Sequence, residues 1–288
     1  MSLLEDVFVP QIKTVPSVRS GAPVGGAPRT RAPRAQRPSG APEKVVTHHE
    51  SPNLTAAQVA LRVAVTLSGA VVMALGVALA VIASLGVQPL SALPAVGARL
   101  TGVLGFPLTL GFFTFVINAA FFCGELALLR GQFPAAQWLQ LPLVFVFSAF
   151  IDVWLNGPLA AFVASGLAEQ AAVLALSIVV TALGVQLQVM GNTLITPPEA
   201  FMALVSKRGG AAYGNVKVAF DVALMVAGVA VSLLLFGDFA DVSVGTLLAA
   251  LLTGQCVKVW VRALRPLERR LPVGRLPFRT LPLGSDAR

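Results

Sequence analysis

Gly184 to Asp221 reads GVQLQVMGNTLITPPEAFMALVSKRGGAAYGNVKVAFD. It carries Gln186, Gln188 and Asn192, then the breaker Thr196-Pro197-Pro198-Glu199, the basic turn Lys207-Arg208, and finally Lys217 and Asp221. Long apolar runs flank it on both sides. Polar groups packed this densely beside hydrocarbon-spanning helices are costly, and they mark a candidate functional region. An earlier stretch, Gly76 to Phe113, resembles a fainter copy. Ala74-Leu75-Gly76-Val77 returns as Ala182-Leu183-Gly184-Val185, about 108 residues later. Pro89-Leu90-Ser91-Ala92-Leu93 aligns with Pro197-Pro198-Glu199-Ala200-Phe201 at the same offset. Ile151-Asp152-Val153-Trp154 answers Val257-Lys258-Val259-Trp260 at nearly that offset. The chain therefore reads as two related halves, with most of the chemistry in the second.

The composition is 56% apolar and 12% charged, whereas soluble domains carry about 25% charged residues. Several uncharged runs reach the roughly 20 residues that a helix needs to cross a bilayer. The reading is an all-α membrane protein with six transmembrane helices. The spans are Val63–Leu85, Phe106–Leu129, Trp138–Leu155, Ala171–Met190, Val218–Phe236 and Ser243–Trp260. Leu159–Leu167 is apolar too and reads as a surface or re-entrant piece. Residues 1–55 form a basic, proline- and alanine-rich tail without helical or strand period, expected to be disordered. Residues 56–168 hold the first three-helix repeat, 169–262 the second, and 263–288 a basic C-terminal tail.

Charge sorts cleanly across six spans. Arg130, Lys207, Arg208, Lys217 and both basic tails fall on one side, whereas the other receives Arg99 with Glu169, Asp238 and Asp241. Such sorting puts both termini in the cytoplasm and the chain in the cell (inner) membrane. The net positive charge is thus a topology signal, and no nucleic acid is implied. Three spans per half is an odd number, so the second half crosses in the opposite sense to the first. That is an inverted repeat of the kind secondary transporters use. Broken or re-entrant segments are expected after the first helix of each repeat, at Pro89–Thr101 and Pro197–Gly209. Proline suits a first helical turn, and Glu199 suits the positive end of the short helix it opens.

These features resemble the YczE/YyaS/YitT-type multi-pass membrane proteins of bacteria. The resemblance rests on Leu85-Gly86-Val87-Gln88-Pro89-Leu90-Ser91 and Thr196-Pro197-Pro198-Glu199 after the first span of each half. It rests also on Lys217 with Asp221, and on the run Gly245-Thr246-Leu247-Leu248-Ala249-Ala250-Leu251-Leu252-Thr253-Gly254 in the last span. Ser91 and Pro198 depart from the acid and the basic residue the pattern has there. The resemblance covers Val63 to Trp260 and implies a membrane location and a six-span repeat. It supplies no substrate.

The candidate substrate-binding or gating residues are Asn118, Asp152, Gln188, Asn192, Glu199, Lys217 and Asp221. Lys217 and Asp221 lie one helical turn apart and share a face, as a gate or ion-coupling pair would. Gln188 and Asn192 are likewise four apart. Amides can bind a polar solute, or serve as hydrogen-bonding glue between helices. Asp152, near the outer end of its span, reads as an outer gate or as a headgroup-zone residue, and Glu125 has the same ambiguity, with Arg130 as its neighbour. No catalytic set is present: both histidines, His48 and His49, fall in the tail, and no phosphate-cradling loop occurs. Cys123 and Cys256 lie inside apolar spans and form no metal spacing. The expectation is a non-enzymatic transporter or permease without metal or cofactor. Its partners are the lipid bilayer and a small polar solute or ion, and a homo-oligomer is compatible with it. The alternative is a scaffold recruiting partners through its basic tails.

Overall fold

The computed structural model describes residues 55–129, 133, 135–191, 193–211, 213–238 and 244–270. Among these it has helices and no strand. The order is α1 (Ala56–Ala83), a 3-10 turn (Pro89–Ser91), α2 (Ala92–Val103), α3 (Leu110–Leu129), a 3-10 turn (Ala135–Leu139) and α4 (Gln140–Asn156). Then come α5 (Leu167–Gly191), α6 (Pro197–Gly209), α7 (Tyr213–Phe236) and α8 (Val244–Arg270). Six of these, all but α2 and α6, are long and apolar enough to cross a bilayer. The chain is a multi-pass helical membrane protein.

Local chemistry sets the ends. Helix α1 starts seven residues before Val63, because Thr55 and Gln58 close a capping box there: Thr55 N donates to Gln58 Oε1 at 3.0 Å and Gln58 N to Thr55 Oγ1 at 3.3 Å. It ends at Ser84, whose φ of 53° turns the chain left-handed. Helix α3 starts at Leu110 rather than Phe106. Pro107 interrupts the approach, and Thr109 Oγ1 accepts the Phe112 N–H at 3.1 Å. Residues 159–166 form no helix: they are a turn and a link into α5, which opens at Leu167, with Leu159 and Ala164 packed on the core. Helix α6 opens with Pro197 and Pro198 and stops at Gly210, φ 62°.

Helices α1 and α5 form the centre, antiparallel and close. A Cβ on Gly69 would lie 2.7 Å from Gln188 N, one on Gly76 would overlap Thr181, one on Gly184 would lie 2.5 Å from Met73 N, and one on Gly191 would overlap Thr66. Small residues at these crossings let the backbones approach as packed membrane helices require. Ser177 Oγ donates to the Gly76 carbonyl at 2.7 Å, and Thr66 and Thr193 share a 2.6 Å hydroxyl bond.

Contacts around this centre recur in matched pairs. Gly76 meets Thr181 and Gly184 meets Met73; Gly76 and Gly184 share one offset with Met73 and Thr181. Trp154 Nε1 donates to Val71 O at 3.3 Å, and Trp260 Nε1 to Val179 O at 3.1 Å. Helix α4 packs on α1 as α8 does on α5; α2 packs on α7 as α6 does on α3. On the α2–α7 side, Arg99 Nη1 and Nη2 each donate to an Asp238 carboxylate oxygen at 2.6 Å, with the guanidinium 4.1 Å from the centre of the Phe236 ring.

Candidate functional site

The antiparallel centre, the first 3-10 turn, α3 and α4 enclose a small cavity of about 20 Å³, room for about one water. Ala70 and Met73 come from α1, Leu90 from the turn, Asn118 from α3, and Leu143, Val144 and Phe147 from α4. Gln188 comes from α5 and Thr196 from the residue that precedes α6. The walls are therefore apolar, with two amides and a hydroxyl as polar points. Asn118 spends one amide hydrogen on the Thr114 carbonyl, at 2.7 Å. Gln188 reaches only the Met73 sulfur, at 3.4 Å, a weak acceptor, so its amide keeps capacity for a better partner. Two amides and a hydroxyl thus converge on an apolar-walled space between the helices.

A charged cluster adjoins the cavity through Thr196. Glu199 stands in the first turn of α6, where the positive helix end favours an anion. Burial pushes its carboxyl above the usual carboxylate range, with Lys217 and a hydrogen bond from Thr196 pulling it back. Lys217 Nζ lies 3.4 Å from Asp221 Oδ2, one turn along α7. Helix α6 is wedged against α3 by rings: Phe201 packs on Phe121 at 5.6 Å and on Phe220 of α7 at 5.7 Å. Its last turn is tied down as well, since Arg208 Nη2 donates to the Leu128 carbonyl.

Asn118 and Gln188 thus share one cavity, and Glu199, Lys217 and Asp221 form its neighbouring cluster. Asn192, Arg130, Asp241 and residues 1–54 and 271–288 lie outside the described residues, whereas 263–270, expected to begin the C-terminal tail, continue α8. Asp152 is not brought to the cavity. Its Oδ2 accepts from Thr109 Oγ1 at 2.6 Å and its Oδ1 from Gly111 N at 2.9 Å. It buttresses the start of α3, where a carboxylate meets unpaired N–H groups.

Three arrangements were not read from the sequence, although it named Glu125 as a gate or headgroup-zone residue. Gln88 Nε2 donates to Thr181 Oγ1 at 2.7 Å, bringing the chain before the first 3-10 turn onto α5. Arg62 is fully buried in α1, and among the described residues its guanidinium has no hydrogen-bond partner. Glu125 and Gln140 meet in the α3–α4 interface, both fully buried. One signal for Glu125 was available: it lies seven residues after Asn118, which puts both on one stripe of α3. Among the described residues, no three His, Cys, Asp or Glu side chains converge as metal ligands.

Neither a curated protein nor a solved structure matches the chain. Residues 60–262, from early α1 into α8, match the model of a family of unknown function, DUF6198, and that description carries no YczE/YyaS/YitT name. The match spans all six long helices and the cavity, so the chain belongs to the DUF6198 family.

Proposed function

We propose that this protein is a small secondary transporter or permease for a polar solute, with no enzymatic step and no cofactor. The single observation that carries this reading is the shared cavity: Asn118 from the first half and Gln188 from the second face one apolar-walled space. A solute held there would take hydrogen bonds from both halves at once, so its binding would respond to their relative tilt. That is the requirement for alternating access around a fixed site.

The halves are inverted three-helix repeats, and both termini lie in the cytoplasm of a cell (inner) membrane protein. Support comes from the matched contacts. The two first helices, α1 and α5, run antiparallel and touch through equivalent residues, and each half's tryptophan bonds the equivalent carbonyl. Helices α2 and α6 are then the broken segments of the two repeats, reaching in from opposite faces. The Glu199–Lys217–Asp221 cluster gates the end of the cavity framed by α6.

The test is uptake of a panel of uncharged and zwitterionic polar solutes into proteoliposomes, comparing wild type with Asn118→Ala and Gln188→Ala. A solute that enters with wild type and is slowed about tenfold or more by either variant, as loss of a transport-relevant hydrogen bond of roughly 1.4 kcal/mol would give, supports the reading. Unaltered uptake in both folded variants removes the cavity from the path. Absence of any transport by folded wild type favours a scaffold that recruits partners through its tails.

A further inference from the structure

The interface between α3 and α4 contains polar groups that solute binding does not use. From one end it presents Asp152 against Gly111, then Ser148 and Thr114, whose buried hydroxyls have no hydrogen-bond partner, then Asn118 at the cavity. Beyond the cavity Phe122, Leu143 and Val144 close the seam with apolar bulk. Past them Glu125 and Gln140 face each other. Glu125 Oε1 accepts from Gln140 Nε2 at a long 3.5 Å. Among the described residues, Glu125 Oε2 and Gln140 Oε1 are both buried acceptors without a donor. A carboxylate so placed is costly. The donor this group lacks is the one a carboxylic acid carries: with a proton on the carboxyl, its O–H can supply the missing donor.

We propose that Glu125 is a reversible proton-binding site whose protonation state controls access to the Asn118–Gln188 cavity, which makes it the ion-coupling residue of the transporter. The proposal rests on the transport reading for its purpose, but not for its chemistry. Bulk solvent supplies the proton, the carboxylate becomes a neutral acid, and no other bond changes. Asn118 and Glu125 lie two turns apart on one stripe of α3, about 10 Å along the axis. Gln140 stands one turn before Leu143 and Val144 on α4. A shift of α3 against α4 on proton uptake would therefore move the apolar plug directly. The shift would also reach α6: the Phe201 ring lies against Gly124, where a Cβ would come within 2.8 Å, and α6 carries the Thr196 end of the cavity.

Glu125 is the one charged residue on α3. The neighbouring elements bring Asp152 at the far end of α4, Glu199, Lys207 and Arg208 on α6, and Lys217 with Asp221 on α7. Helix α2 brings Arg99, which is engaged with Asp238, and α1, behind α4, brings Arg62. Arg208 bonds the Leu128 carbonyl and forms no ion pair with Glu125. Glu199 is a second, half-buried carboxyl here, so a control must separate the two.

The experiment uses full-length protein in lipid nanodiscs with Cys123 and Cys256 changed to Ser and a single Asn118→Cys reporter in the cavity. Maleimide labelling is followed across pH, normalised at each pH to a small model thiol. The normalised rate is expected to change at least about fivefold with pH, the low end of a normal coupling free energy. It should become pH-independent in Glu125→Gln, keep its pH response in Glu199→Gln, and shift its midpoint in Glu125→Asp. In parallel, a protonated-carboxyl infrared band should titrate in wild type, be lost in Glu125→Gln and persist in Glu199→Gln. A pH response that survives Glu125→Gln, or one that Glu199→Gln abolishes, overturns the proposal, as does a wild-type rate flat with pH. None of these readouts needs a solute. Failure of solute uptake in proteoliposomes would therefore count against the transport reading, and failure of the labelling response against Glu125.

Discussion

On the proposed repeat, the outer helix pairs of the two halves differ in how they pack. In the first half α3 and α4 pack along each other, and their interface buries Thr114, Asn118, Glu125, Gln140 and Ser148. In the second half the equivalent pair, α7 and α8, barely touch among the described residues. They turn Val218, Val222, Val226, Leu247, Leu251 and Val259 outward instead. Exposed apolar rows like these are what a helix offers to lipid. The second half keeps its charges where α6 meets α7, at Glu199, Lys217 and Asp221. If the halves are the proposed repeats, one plan supplies two kinds of polar site: a closed seam in one half and an ion cluster at a helix end in the other. The expectation that the second half holds most of the chemistry missed that seam.

The comparison depends on the centre that the halves share, and the largest effects should come from disturbing it. Gly76→Ala and Gly184→Ala each place a methyl group against the partner helix backbone. Each should cost about 1–3 kcal/mol, as overpacking does, and lower the thermal unfolding midpoint in detergent by similar amounts. Gly214→Ala on α7, with nothing within 4 Å of the added atom, should be neutral or gain up to about 1 kcal/mol. Unequal losses at Gly76 and Gly184 would break the equivalence of the two copies.

A smaller effect is expected at the tryptophans. Trp154→Phe and Trp260→Phe each remove one indole hydrogen bond while keeping most of the ring, at about 0.5–1.5 kcal/mol. The two losses should agree, and a double variant with additive losses would show that the copies act independently across the centre. The smallest effect concerns pH. The folded protein holds the Glu199 proton more tightly than the unfolded chain does. Its contribution to stability is therefore fully present below the ordinary glutamate range, and is lost as pH rises through the raised folded value. Glu199→Gln should flatten that part of the stability–pH curve, measured by denaturant unfolding in detergent at stepped pH. A steeper curve in the variant would mean that the environment of Glu199 favours its charged form.

Much of this molecule could be read from its sequence where the signal was local. Uncharged runs gave six spans, and proline at a first turn gave α2 and α6 within a few residues. The spacing of Lys217 and Asp221 gave their pair. Reading failed where polar chemistry competed with hydropathy. Gln58 and Arg62 hid the true start of α1, although Thr55 and Gln58 were a capping signal in plain view. It failed again where a partner lies far along the chain. Nothing near Asp152 says that it faces Gly111, 41 residues away, and nothing near Glu125 points to Gln140. Those roles exist only once α3 and α4 have packed.

Opposite threading of two equivalent halves around one polar cavity is most directly tested by the sidedness of the two short helices. Gly102, in the last turn of α2, and Gly209, in the last turn of α6, are both open positions with nothing within 4 Å of an added Cβ. Each should be changed singly to Cys in a background with Cys123→Ser and Cys256→Ser, and labelled with an impermeant maleimide in sealed vesicles of known orientation. The expected result is labelling of Gly102→Cys from the outside only and of Gly209→Cys from the inside only. Labelling of both from the same side would contradict the inverted arrangement, and with it alternating access to the Asn118–Gln188 cavity.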